Sequence, residues 1–270
     1  MSTPLTQALA TLRRRYGDAV IQSGDTLRRT GAVWPTGLPT LDSRLTAGGL
    51  PLGRLSLLAA SPSAGASGRL TLLQALSAGA SRERTVVYLD LAGSLDPGFL
   101  ADLGADLAAL LVVRPPSGRW GEGLSMARSL VIAGAPWLAV ALPPAAPGGS
   151  RGDPGWEHRL VGLVEAVSAR QAVCLVAAVA PVPPALSYAA SLTLGCEAAG
   201  WQEAHGDVVG LRTRLTVLAS KVGAPGETAT LLPRYPRPFA AAEVIGWPSV
   251  VDLSAMAERA ESQIPTAVAG

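Results

Sequence analysis

From residue 50 onward, unbroken apolar runs take turns with segments whose apolar residues recur every three or four positions. RLSLLAA (54–60), TVVYLDL (85–91), LLVVRP (from 110), PWLAVALP (136–143) and AVCLVAAVA (172–180) have no alternation, as expected of strands buried on both faces. Between them, residues 68–80, 96–110, 121–134 and 156–170 carry helical periodicity. Strand and helix in alternation predict an α/β fold with a mostly parallel central sheet flanked by helices.

The two ends read differently. LTQALATLRRRY (5–16) has a helical stripe at Leu5, Ala8, Leu9 and Leu12, and AVIQ (19–22) reads as a strand. The late runs SLTLGCEA (191–198), VVGLRTRLTVLASKV (208–222) and ETATLLP (227–233) predict antiparallel strands, with alternation at Leu211, Thr213, Leu215 and Val217. Residues 249–263 predict a closing helix begun at Ser249 or Asp252. The expected organisation is therefore an N-terminal helix–strand arm (1–33), a core (34–240) and a C-terminal helix with a tail (241–270).

Composition adds little. Charged residues make up 16% of the 270, against about 25% in typical soluble domains. A partner or self-association face would account for this, and so would a GC-rich genome. The net charge of +2 does not demand nucleic acid. Arg13, Arg14, Arg15, Arg28 and Arg29 make the first thirty residues basic, either as a solvated helix face or as an electrostatic contact. Cys174 and Cys196 lack metal-ligand spacing, so structural thiols in a reducing cytoplasm are expected, with no metal. The N-terminus does not read as a signal peptide. Prolines break the two long uncharged runs, so neither predicts a membrane span. His158, His205 and the scattered tryptophans suggest no ligand set, and Trp120 fits a core edge better than a partner face.

A strand, a small-residue turn and a helix form the setting of a phosphate loop, whose pattern is G-x-x-x-x-G-K-[ST]. Residues 60–67 read ASPSAGAS. Gly65 and Ser67 fit, while Ala60 and Ala66 stand where the first glycine and the lysine belong. A shifted register would put Gly68, Arg69 and Leu70 at Gly-Lys-Ser/Thr, restoring charge but losing the hydroxyl. Taken alone, the segment reads as an ordinary strand–helix turn.

Its context is more specific. WPTGLPTLDSRLTAGGLPLGRL (34–55) resembles the entry to the ATPase core of bacterial RecA recombinases, through Thr36, Gly37, Leu41, Asp42, Leu45, Gly48, Gly49, Leu50, Pro51, Gly53 and Arg54. YLDLAGSLDPGFLADLG (88–104), ALSYAASLTL (185–194), TRLTVLASKVGAP (213–225) and the N-terminal arm resemble further RecA segments. Ungapped counting from Arg54 favours the register with Ala66 at the lysine.

The resemblance implies a degenerate nucleotide pocket. Ala66 replaces the phosphate-loop lysine, Ala92 the glutamate that orients water, and Leu142 the magnesium-supporting aspartate. Asp96 and Phe99 fall where RecA holds the adenine. Lys221 matches one of two lysines that reach a neighbour's nucleotide, and Ala219 stands at the other. The DNA-binding loops are reduced: PVPP (181–184) replaces the second, and Arg151 is the lone basic residue near the first. Phosphate charge, water activation and metal support vanish together, so neither ATP hydrolysis nor a cofactor is expected.

Such a chain resembles the ImuA family of decayed RecA relatives. That implies a regulator or scaffold in the DNA damage response and translesion synthesis, with RecA or a mutasome polymerase subunit as partner and self-association through the arm around Arg13, Arg14, Arg15 and Tyr16. The alternative is an ATP-independent single-stranded DNA binder using the basic arm, Arg212, Arg214 and Lys221. A recombinase using Arg69 would leave Ala92 and Leu142 unexplained, and nothing selects a SulA-like division inhibitor.

Overall fold

The computed structural model describes residues 4–16, 32–61, 66–116, 118–144, 155–233 and 250–252. Its elements in chain order begin with α1 (Pro4–Tyr16), β1 (Val33–Trp34), α2 (Pro39–Arg44), β2 (Leu50–Pro51) and β3 (Arg54–Ala60). The core continues with α3 (Arg69–Ser81), β4 (Val86–Asp90), α4 (Pro97–Asp102), a 3-10 turn (Leu107–Ala109), β5 (Leu110–Val113), α5 (Trp120–Ile132) and β6 (Trp137–Ala141). It ends with α6 (Trp156–Arg170), β7 (Val173–Val179), α7 (Pro184–Ala189), β8 (Ala190–Ala204), β9 (Asp207–Ser220), β10 (Thr228–Pro233) and β11 (Val250–Asp252).

One nine-stranded sheet runs β11-β10-β9-β8-β3-β7-β6-β4-β5. The six strands from β8 to β5 are parallel, and the other three add antiparallel to β8. The α/β architecture expected from the apolar pattern is the one observed. Parallel strands need both faces covered, and two apolar layers cover them. On one face α3 and α4 bury Leu72, Leu73, Leu76 and Leu100 against Tyr88, Trp137 and Leu175. On the other, α5, α6 and α7 bury Leu124, Val131, Leu160, Leu163 and Leu186 against Leu57, Leu89 and Val140.

The entry segment is pinned to the sheet before β3 begins. Thr36 donates to Asp42 Oδ1 through its backbone N–H (2.9 Å) and its hydroxyl (2.7 Å). Trp34 meets Trp137 edge-on, ring centres 5.6 Å apart, tying the β1–β2 pair to β6.

Three expectations are corrected. The helix expected over 96–110 stops at Asp102, because Gly104 takes φ +72° and Arg82 captures the carbonyls of Leu103 and Gly104. Strand β8 runs to Ala204 rather than ending near 198, and turns into β9 through His205 and Gly206, both at positive φ, as a tight hairpin turn requires. Val250–Asp252, expected to begin a helix, instead pair along β10. The rest of that expected helix and the AVIQ strand lie outside the described residues. Among the described residues, no helix is long and apolar enough to cross a membrane.

Candidate functional site

The parallel strands end together at Ala60, Asp90, Ala141 and Val179, and the loops that follow form one edge of the sheet. In open α/β sheets ligands bind at such carboxyl ends. Ala60 closes β3 and is buried, with its carbonyl accepting from Ala180 N at 2.8 Å. Gly65 lies outside the described residues. Ala66 is exposed and Ser67 is buried, but neither belongs to the helix.

Helix α3 starts at Arg69, after Gly68 at φ +71°. Glycine is required there twice over: its φ lies in the left-handed region, and a Cβ would land on the Thr213 hydroxyl. A phosphate loop places its lysine where the helix opens, facing the anion. In this chain the helix opens at Arg69, and Ala66 lies three residues before it. Arg69 Nη1 lies 3.4 Å from Ser67 Oγ, its Nε is buried without a partner, and burial pulls the guanidinium pKa below its ordinary value.

The next loop is built around Asp90, which the sequence did not single out. Its carboxylate is fully buried and accepts from Ser94 N (2.9 Å), Leu95 N (3.2 Å) and Arg114 Nε (2.9 Å). An acid closing an otherwise apolar strand was the available signal. Ala92 sits in the loop so held and packs against the first apolar layer. Asp96 Oδ1 accepts from Gly98 N (2.8 Å) and Phe99 N (3.2 Å), capping α4. Phe99 is half-buried against the first layer.

Leu142 does not join these groups. It is 6% exposed and faces the second layer, in an apolar recess lined by Trp120, Leu124, Trp156, Leu160 and Pro183. The structure thus brings Ala60, Ser67, Gly68 and Arg69 together on one loop and Ala92, Asp96 and Phe99 on its neighbour, and sends Leu142 to the opposite face. No cluster of metal-ligating side chains occurs among the described residues.

The basic candidates are dispersed. Arg14 and Arg15 are exposed on α1, while the side chains of Arg13 and Tyr16 lie outside the described residues. Arg212 and Arg214 are exposed on β9, Arg212 reaching Gln202 Oε1 at 3.3 Å. Lys221 Nζ donates to the Tyr188 carbonyl at 2.5 Å and lies 5.2 Å from the Tyr188 ring centre. The link from β7 to β8 is only the short stretch 180–183 and the six-residue α7.

A mostly parallel sheet with helices packed on both faces defines an α/β protein. The model of the RecA N-terminal domain family matches residues 3–145, over half of the chain, and the chain belongs to that family. It is 28% identical over 256 residues to RecA of Chlorobium limicola, an alignment covering 83% of this chain and 71% of that one. RecA of Kineococcus radiotolerans is 37% identical over 135 residues, covering 48% of this chain and 37% of its own. The chain thus spans about a third of this second relative's length. A solved structure of the RadB recombinase superposes with a TM-score of 0.59 at 16% identity, covering 73% of this chain and 94% of that one. That likeness speaks for the fold.

Proposed function

We propose that this chain is a non-catalytic RecA-like protein that works as a regulator or scaffold in the DNA damage response and translesion synthesis, by binding RecA or a mutasome polymerase subunit. The observation that carries the reading is that no group for water activation or metal support stands at the expected positions: Ala92 offers a methyl group, and Leu142 is sealed into the opposite apolar layer. Phosphoryl transfer depends on positioned charge and metal, and an arginine at the start of α3 replaces neither a carboxylate nor magnesium. The arm carrying Arg13, Arg14, Arg15 and Tyr16 is the proposed contact with RecA or with a second copy of the chain.

Two measurements test this. Purified protein with magnesium and ATP releases no phosphate above a no-enzyme control, and immobilised protein captures RecA or a polymerase subunit in a manner lost on deleting residues 5–22. Sustained turnover, or no capture of either partner, overturns the reading. The alternative, an ATP-independent single-strand binder, draws on exposed Arg212 and Arg214, and predicts a gel shift that weakens as salt rises.

A further inference from the structure

We propose that the free edge of β9 over residues 207–212 is a docking site for an extended, acidic segment of a partner protein, which joins the sheet as one further strand. The proposal goes beyond the scaffold reading. It concerns a surface apart from the N-terminal arm, and it holds whether or not RecA is captured.

The neighbouring strands leave this edge open. β10 pairs with β9 from Thr216 to Thr213 and then gives Leu232 and Pro233 to β11. On the other side, β3 pairs with β8 no further than Cys196. Over residues 198–212 the two strands of the hairpin pair only with each other, and among the described residues no other backbone–backbone bond reaches this stretch. Such an edge presents a row of unpaired N–H and C=O groups to an incoming chain. Residues 207–212 offer about 20 Å of it, the length of an ordinary strand.

Charge selects the occupant. β9 carries Arg212 and Arg214, both exposed and two residues apart, so on one face of the strand. Arg212 turns to the neutral Gln202, and among the described residues neither arginine forms an ion pair. β8 carries the exposed acids Glu197 and Glu203, so the two edges of the hairpin are opposite in sign. Symmetric pairing with a second copy would set arginine against arginine or glutamate against glutamate, and like charges facing across a ladder destabilise it. The chain's own residues 234–249 bring Arg234 and Arg237 against one acid, Glu243, together with three prolines. They match neither the charge nor the hydrogen-bonding row. Nucleic acid fits less well than a peptide, since β9 has no aromatic side chain for bases to stack on and the acids of β8 lie one strand away. An extended chain with acids at alternate positions meets both demands: its backbone completes the ladder, and its carboxylates reach Arg212 and Arg214.

The test is fluorescence anisotropy of a labelled peptide of sequence EVEVEVE titrated with the full chain. It should bind with a dissociation constant of about 100 μM or below, and in isotope-labelled protein it should shift the backbone amide signals of residues 208–212 most. The lysine counterpart KVKVKVK should bind about tenfold more weakly or worse. A fully N-methylated EVEVEVE keeps every carboxylate but donates no backbone hydrogen bond, and should not bind. R212E/R214E should reverse the preference between the two charged peptides. R212Q/R214Q should lose most of the affinity for the acidic one, and serves where R212E/R214E does not fold. R119Q, at the start of α5, should bind as wild type does. No binding of EVEVEVE at about 1 mM, equal binding of its N-methylated form, or signal shifts confined to other strands overturns the proposal. So does a peptide-free dimer that R212E/R214E dissolves, which gives the edge to a second copy, or an oligothymidylate that displaces the peptide, which gives it to nucleic acid. None of these outcomes depends on phosphate release or on capture of RecA.

Discussion

Arg114 Nε donates to Asp90 Oδ2 at 2.9 Å, because the parallel register that sets Leu89 beside Val113 puts the next residue of each strand side by side. Arg114 also donates to the Leu95 carbonyl at 3.0 Å. One carboxylate and one guanidinium therefore hold the whole turn from 91 to 95. The carboxylate is fully buried, whereas the Arg114 side chain is 52% exposed, so the two ends of the pair are not equivalent. D90A strands the N–H groups of Ser94 and Leu95 and should cost about 2–4 kcal/mol. R114Q loses a largely solvated partner and should cost about 1 kcal/mol. Urea denaturation of both variants checks the order, and equal losses would place the energy in the ion pair rather than in the turn.

Gly68 should tolerate no side chain. G68A must adopt a left-handed φ and displace Thr213 Oγ1, at a cost of about 2 kcal/mol or more. T213A removes a buried hydroxyl that lacks a partner and should cost little. In the double variant the collision disappears while the backbone strain remains, so the double loss should fall below the sum of the single ones. A double-mutant cycle by chemical denaturation measures the coupling.

Leu142 offers a test of which face it occupies. L142D drives a carboxylate into the recess between Trp120, Trp156 and Leu160 and should lose about 3 kcal/mol or more. The double variant A92E/L142D should still release no phosphate from ATP. A well-tolerated L142D would mean that the residue faces an open polar site.

The buried thiols fix the alkaline side of stability. Burial pushes Cys174 and Cys196 up to about 12 from an ordinary 9.0. The folded state therefore holds its thiol protons while the unfolded state releases them. This contribution is complete below pH 9 and is lost as pH climbs toward 12, by up to about 1.4 kcal/mol per pH unit for each thiol. Urea midpoints should fall between pH 9 and 11, and a thiol reagent at pH 8 should label neither cysteine until the chain unfolds.

Much of the fold was legible because its boundaries are marked chemically. RLSLLAA is β3 from end to end, and WEHRLVGLVEAVSAR is α6 from end to end. Gly155 precedes that helix, and Gln171 closes it in a left-handed conformation. What escaped depended on distant partners. Arg82, reaching 22 residues along the chain, ends the helix expected to continue to 110. Thr213 on β9 leaves no room for a side chain at Gly68, the residue before α3. Asp90 and Arg114 meet only once the strand order is known. The burial of Arg69 beside Ser67 depends on packing that the sequence does not display.

Strand β8 leaves β3 behind at Cys196, and β10 accompanies β9 only from Thr213 to Thr216. The ribbon from Gly200 to Arg212 is thus held by a single ladder, and an isolated two-stranded hairpin is marginal in water. Backbone amides around Trp201 and Val208 should therefore trade protons for deuterons through local opening, well before those of Leu194 and Leu215 in the layered part of the same two strands.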